Sequence, residues 1–151
     1  MTEENRITPA LAWSLADQLG QAYALVLALA QEKVADEPLT VTELIALVVL
    51  LSFPDGLSQT AWGKYQGVSR QRAHKVSGKL EAEKLISLKR HGRSSTAKLT
   101  PAGRRIIKRI EPRLSKAYAK QFEGLQPREA NELARLLSKM LKHADPQMSI
   151  T

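Results

Sequence analysis

A mostly α-helical chain with one small β-hairpin is the fold this sequence predicts, and three observations carry the reading. Apolar residues recur every three to four positions through most of the chain, as in helices buried on one side. Capping residues and prolines mark the starts and stops of those stretches. Only between Leu85 and Leu99 does the period drop to two, around a short polar tip. With 151 residues, 43% hydrophobic and 25% charged, the chain is long enough for one domain with a proper core and too apolar to remain unfolded.

The elements follow in order. From Pro9 to about Lys33, apolar side chains recur at Leu11, Leu15, Leu19, Ala22, Tyr23, Val26, Leu29 and Ala30. Thr8 is placed to cap this helix and Pro9 to occupy its first position. Around Ala22–Ala30 the apolar positions fill more than one stripe, so packing on several sides is expected. Asp36-Glu37-Pro38 breaks the helix. Thr40 caps the next, with Glu43 in capping-box register, and its aliphatic run to about Phe53 predicts a central position. Pro54-Asp55-Gly56 is a turn, and Leu57 to Tyr65 is expected to be a short helix capped by Ser58. Gln66-Gly67-Val68 makes a tight turn, and Ser69 caps a helix through about Lys84 with Ala73, Val76 and Leu80 on its buried stripe.

Ile86 and Leu88 then alternate with Ser87 and Lys89, and Thr96-Ala97-Lys98-Leu99 forms the returning strand across a flexible tip at His91–Ser95. Thr100-Pro101 opens a helix carrying Ile106, Ile107, Ile110, Leu114 and Tyr118, which Pro112 should kink or break. Gly124 ends it. Pro127 opens a last helix with Leu133, Leu136, Leu137, Met140 and Leu141, and Pro146 closes it.

Several functions are excluded or disfavoured. The absence of cysteine removes disulfide frameworks, Cys-ligated zinc fingers and thiol redox chemistry. The apolar runs Ala22–Ala30 and Leu44–Phe53 fall far short of the roughly 18–20 residues of a membrane span, so no membrane partner is expected. The acidic start precedes no secretory core, and the expected location is cytoplasmic. No Gly-rich phosphate loop, paired-carboxylate motif or nucleophilic frame appears, so an enzyme is not expected, nor is a cofactor. His74, His91 and His143 are too dispersed to suggest a metal site.

Charge points to a partner. Residues 58–120 hold 17 Lys/Arg and 3 Asp/Glu, residues 1–57 hold 2 and 8, and the remainder hold 4 of each, within a net charge of +8. A cationic block on an otherwise acidic or neutral scaffold suits a polyanion. It coincides with a helix, a turn, a second amphipathic helix and a hairpin, the order of a winged helix-turn-helix. In that arrangement the second helix enters the major groove and the hairpin reaches toward the minor groove.

Helical projection turns Gln71, Lys75 and Gly78 away from the buried stripe, with His74, Arg72 and Lys79 at the margins. Arg70, Gln71 and Arg72 are the candidate base readers, because Arg pairs bidentately with guanine and Gln with adenine. Lys75 and Lys79 suit phosphate, and Ser69 opens the helix N-terminus toward it. Gly78 implies either close approach of a DNA backbone or close packing against another helix. On the hairpin, Lys89, Arg90 and Lys98 flank the tip, and Arg93 is the candidate for minor-groove insertion.

The run Leu57 to Gly103 resembles the MarR family of transcription regulators. The resemblance is carried by Gly67-Val68-Ser69-Arg70-Gln71, by Leu80-Glu81-Ala82-Glu83-Lys84-Leu85-Ile86 and by Leu99-Thr100-Pro101-Ala102-Gly103. The long first helix, the Pro-interrupted helix after the wing and Leu125-Gln126-Pro127-Arg128-Glu129 extend it over nearly the whole chain. It implies a homodimer whose N- and C-terminal helices interlock, bound to double-stranded DNA at a pseudo-palindromic operator. Repression is the expected mode, with relief by a small aromatic effector, commonly a carboxylate, held between the dimer helices and the winged domain. Trp13, Tyr23, Trp62 and Tyr118 are candidate aromatic walls, though such residues are more often simply core. The family's wing tip pairs Asp with Arg, whereas here only Arg93 maps, without the acid. Lack of cysteine excludes the family's peroxide-sensing branch.

The corresponding division places a DNA-binding unit at residues 38–100 and a helical dimerisation region at 1–37 and 101–151. The alternative function is a sequence-tolerant architectural winged-helix protein. A winged domain that binds protein or RNA instead of duplex DNA is disfavoured, because RNA modules often display aromatics and none lies between Gln66 and Lys116.

Overall fold

The computed structural model describes residues 6–145, which form six helices and three short strands. Helix α1 (Pro9–Lys33) starts as expected, with the Thr8 hydroxyl accepting the Leu11 N–H at 3.2 Å. Helix α2 (Val41–Leu51) carries the complete capping box: Thr40 Oγ1 accepts the Glu43 N–H at 3.3 Å, and Glu43 Oε2 accepts the Thr40 N–H at 2.9 Å.

The expected helix from Leu57 is corrected at its start. Leu57–Ser58 form strand β1, and helix α3 (Gln59–Tyr65) begins two residues after Leu57, capped by Ser58 as expected. A two-residue strand has no period to read, and its partner lies far along the chain. Gly67, at φ +65°, makes the turn into helix α4 (Arg70–Ala82). Ser69 caps α4 by accepting the Arg72 N–H at 3.3 Å. Ala73, Val76 and Leu80 are buried as their spacing predicts.

Strands β2 (Ile86–His91) and β3 (Ser94–Leu99) are longer than the apolar alternation indicates. They pair antiparallel from Ile86↔Leu99 to His91↔Ser94, and β1 pairs with the other edge of β3. Backbone pairing continues through residues with no apolar pattern, so the expected flexible tip is a two-residue turn, Gly92-Arg93. Gly92 takes φ +59° there, a value suited to glycine in hairpin turns.

Helix α5 (Pro101–Gln121) runs through Pro112 as one helix, so of the expected kink or break the break does not occur. Pro112 lies on the exposed side, where water can serve the carbonyl that loses its partner. Helix α6 (Pro127–Ala144) follows, with Asp145 as its C-cap. The expected stop at Pro146 lies outside the described residues. No described helix is long and apolar enough to cross a membrane.

The core gathers Ala46, Leu47 and Leu50 of α2, Trp62 of α3, Leu80 of α4, Ala97 of β3 and Ile110 of α5, all almost fully buried. The Trp62 indole donates to the Ala46 carbonyl at 2.8 Å, so its one polar atom is satisfied. The start of α5 lies against the link from α4 to β2: a Cβ on Gly103 would stand 2.3 Å from the Leu85 carbonyl oxygen. The winged unit and the long helices thus share one core.

Candidate nucleic-acid interface

Burial of Ala73, Val76, Ser77 and Leu80 against the body turns the opposite side of α4 to solvent. Arg70, Gln71, His74, Lys75 and Gly78 are all exposed there. A Cβ on Gly78 would meet nothing within 4 Å. Gly78 therefore packs against no other described helix, and α4 presents bare backbone at that point.

The marginal residues differ. The Arg72 guanidinium donates to Thr42 Oγ1 at 3.2 Å, bridging α4 to the start of α2. The Lys79 ammonium donates to Glu43 Oε1 at 2.8 Å and lies 3.9 Å from Glu83. The hydrogen bond to Glu43 holds this ammonium above the ordinary lysine range. Glu43 is only 7% exposed. One carboxylate therefore caps α2 and ties it to α4, a role its sequence position revealed only in part.

In the hairpin, Lys89, Arg90, Arg93 and Lys98 are exposed. Lys89 and Lys98 stand on adjacent strands, opposite Thr96 and Ser87 respectively. Arg90 Nη2 lies 3.6 Å from Glu81 Oε1 at the end of α4. Ser94 Oγ donates to the His91 carbonyl at 3.0 Å, closing the base of the turn.

A polar relay joins this wing to α4. Ser95 Oγ donates to Gln59 Oε1 at 2.6 Å, Gln59 Nε2 donates to Ser77 Oγ at 2.8 Å, and Ser77 Oγ donates to the His74 carbonyl at 3.0 Å. Ser77, 1% exposed, is a polar residue beside the apolar stripe of α4, a signal the sequence did offer. Gln59 carried none. The relay fixes the wing relative to α4 without an acid beside Arg93.

The cationic block is not one continuous surface. On α5, Arg109 pairs with Glu37, and Arg113 lies 3.1 Å from Asp36 and 3.0 Å from Glu37. Part of the charge therefore pins the α1–α2 connection instead of facing a ligand. Arg113 holds the Asp36 carboxyl below the ordinary carboxylate range.

A cavity of about 590 Å³ opens between α1, α2 and α5, reaching Phe53 just after α2 and Tyr65 at the end of α3. Those two rings stack at 5.3 Å. Of the candidate walls, Tyr23 and Tyr118 line it; Trp62 is core, and Trp13, 81% exposed, is elsewhere. Phe53 and Tyr65, which also line it, escaped notice because one ends an aliphatic run and the other a short helix. The Tyr65 hydroxyl donates to Asp145 at the end of α6, which pushes the phenol's pKa up.

A further apolar surface lies open. Helix α6 has no buried residue, and Leu133, Leu136, Met140 and Leu141 are exposed along it. Ile7, Leu11 and Leu15 are exposed at the start of α1.

No protein-family model and no curated protein matches this chain. Solved structures do. The MarR-family protein Rv2887 of Mycobacterium tuberculosis, in complex with p-aminosalicylic acid, is 28% identical; the match covers 83% of this chain and 97% of that one, with a TM-score of 0.70. BpsR of Bordetella bronchiseptica, whose DNA binding is regulated by 6-hydroxynicotinic acid, is 25% identical over 84% and 98% of the two chains, with a TM-score of 0.70. Sco3205 of Streptomyces coelicolor, a MarR-family regulator in complex with DNA, shares the fold at 20% identity, covering 97% and 95%, with a TM-score of 0.67.

Proposed function

The chain has the winged-helix fold of the MarR-family transcriptional regulators, and from that premise we propose that it is a sequence-specific regulator of transcription acting on duplex DNA as a homodimer. The observation that carries this is the exposed face of α4, where Arg70, Gln71 and Lys75 stand clear of the core beside a wing held by the Ser95–Gln59–Ser77 relay. Gln71, with Arg70 and Arg72, reads base edges. Lys75 and the Ser69 end of α4 take phosphate, with Gly78 admitting the sugar–phosphate chain closely and His74 at the margin. Arg93 enters the minor groove, and Lys89, Arg90 and Lys98 contact its flanks. Lys79 serves phosphate only by sharing its ammonium with Glu43.

The second copy covers α6 and the start of α1. Such apolar stripes, buried by nothing among the described residues, fit a self-complementary twofold interface. Residues 38–100 are then the DNA-binding unit, and 1–37 with 101–151 the dimerisation region. A twofold dimer calls for half-sites about one helical turn apart, roughly 34–36 Å. Repression follows from occupying such an operator in the cytoplasm, and the cavity between α1, α2 and α5 receives a small effector that relieves it. The small molecules named with Rv2887 and BpsR support that last step.

Selection of bound fragments from random duplex DNA tests the reading. Recovery of an inverted repeat is the expected result. Sequence-independent recovery would replace the regulator with an architectural DNA-binding protein.

A further inference from the structure

Helix α5 separates its charges sharply around the cavity. Arg109 and Arg113 are drawn to Glu37 and Asp36, and neither lines the cavity. Its described lining includes no Lys, Arg or His, and its one acidic side chain is Glu111. The remaining side-chain polar groups there are the hydroxyls of Tyr23, Ser52, Tyr65, Ser115 and Tyr118. Tyr65 already donates to Asp145. Burial raises the Tyr118 phenol above its ordinary value, so it stays a neutral donor.

We propose that this cavity selects uncharged, largely apolar molecules bearing a hydroxyl or carbonyl group, and rejects carboxylates. The proposal rests on the effector reading above and names the chemical class of the effector. A carboxylate entering here would exchange part of its hydration for hydroxyls, with no cation among the described lining residues, an unfavourable exchange. Glu111 adds like-charge repulsion. A neutral hydroxyl or carbonyl needs only one hydrogen bond, which Tyr118 or Ser115 supplies, while Leu27, Leu44 and Val48 cover the hydrocarbon. The volume accommodates a ligand of two or three rings. The small molecules named for Rv2887 and BpsR are acids, so this chain departs from those two in ligand charge while keeping their fold.

The test compares 2-naphthol with 2-naphthoate, matched in ring system and differing in charge at pH 7. Each is titrated calorimetrically into the full-length protein. The neutral compound should bind at least about tenfold more tightly. Glu111→Lys should improve naphthoate affinity by about tenfold through the new cation, with naphthol unchanged. Val48→Trp, which fills the cavity from a partly exposed position, should abolish naphthol binding.

Equal or tighter binding of naphthoate to the wild type, lost in Val48→Trp, would overturn the ligand class while leaving the effector cavity standing. Binding of neither compound, by a protein that still holds its selected DNA, would overturn the effector reading and the proposal with it. Naphthol binding unaffected by Val48→Trp would place the ligand elsewhere and overturn both.

Discussion

Gln71 and Lys84 show how differently single residues can be read. Gln71 lies in the first turn of α4 on the side away from Ala73 and Val76, and is exposed. Helical spacing alone placed it there. If it reads a base, Gln71→Ala should cost on the order of 1–3 kcal/mol at one base pair and little on random DNA. Equal weakening on both sequences, measured by competition binding, would remove it from the readers.

Lys84 is the only non-glycine at positive φ, +60°, among the described residues. It closes α4, with the Leu85 N–H donating to the Leu80 carbonyl at 3.0 Å, the pattern in which glycine is usual. The left-handed conformation strains an L-residue, whereas glycine adopts it freely but loses more entropy on folding. Lys84→Gly should therefore stabilise the protein by a net of roughly 0.5–1 kcal/mol. A denaturation midpoint unchanged or lowered would contradict this account. Nothing in the composition around Lys84 announced its conformation, because it is imposed by the return of the chain into β2.

At the scale of elements, helices were the easiest to read. Their caps at Thr8, Thr40, Ser69 and Thr100 are local chemistry, and each forms as its spacing requires. Strand β1 and the upper hairpin were hidden because a β ladder is stabilised by partners distant in sequence. The wing depends on one such partner. Gln59→Leu would remove both side-chain bonds of the relay and cost on the order of 1–2 kcal/mol in DNA affinity through a misplaced wing. Because Gln59 would act through Arg93, Arg93→Ala should add little in the double variant. Full additivity in a double-mutant cycle would show that the relay does not position the wing.

Across the whole molecule, the exposed apolar stripes of α1 and α6 are the features that one chain leaves unresolved. Their expected cover is a second copy, so sedimentation should report twice the 16.7 kDa chain mass. Met140→Glu, which places a charge on the α6 stripe at a half-exposed site, should shift the protein toward monomer and weaken binding to an inverted repeat. It should leave the Trp62 core intact, since α6 contributes no buried residue. A monomeric wild type at micromolar concentration would contradict the dimer. DNA affinity should also fall with salt, at a log–log slope of about −0.9 per phosphate neutralised.

The order of elements, the buried stripe of α4 and its outward residues were determined by the sequence alone. Caps, apolar spacing and turn glycines act over a few residues and leave their mark in neighbouring letters. Tertiary structure decided which charges are spent internally, as with Lys79 on Glu43 and Arg113 on Asp36. It also decided that a relay of hydrogen bonds joins Ser95 of the wing to Ser77 of α4, and that a cavity with no cation among its described lining residues opens between α1, α2 and α5. These features arise between groups far apart along the chain, where spacing carries no signal and only three-dimensional proximity sets the energy.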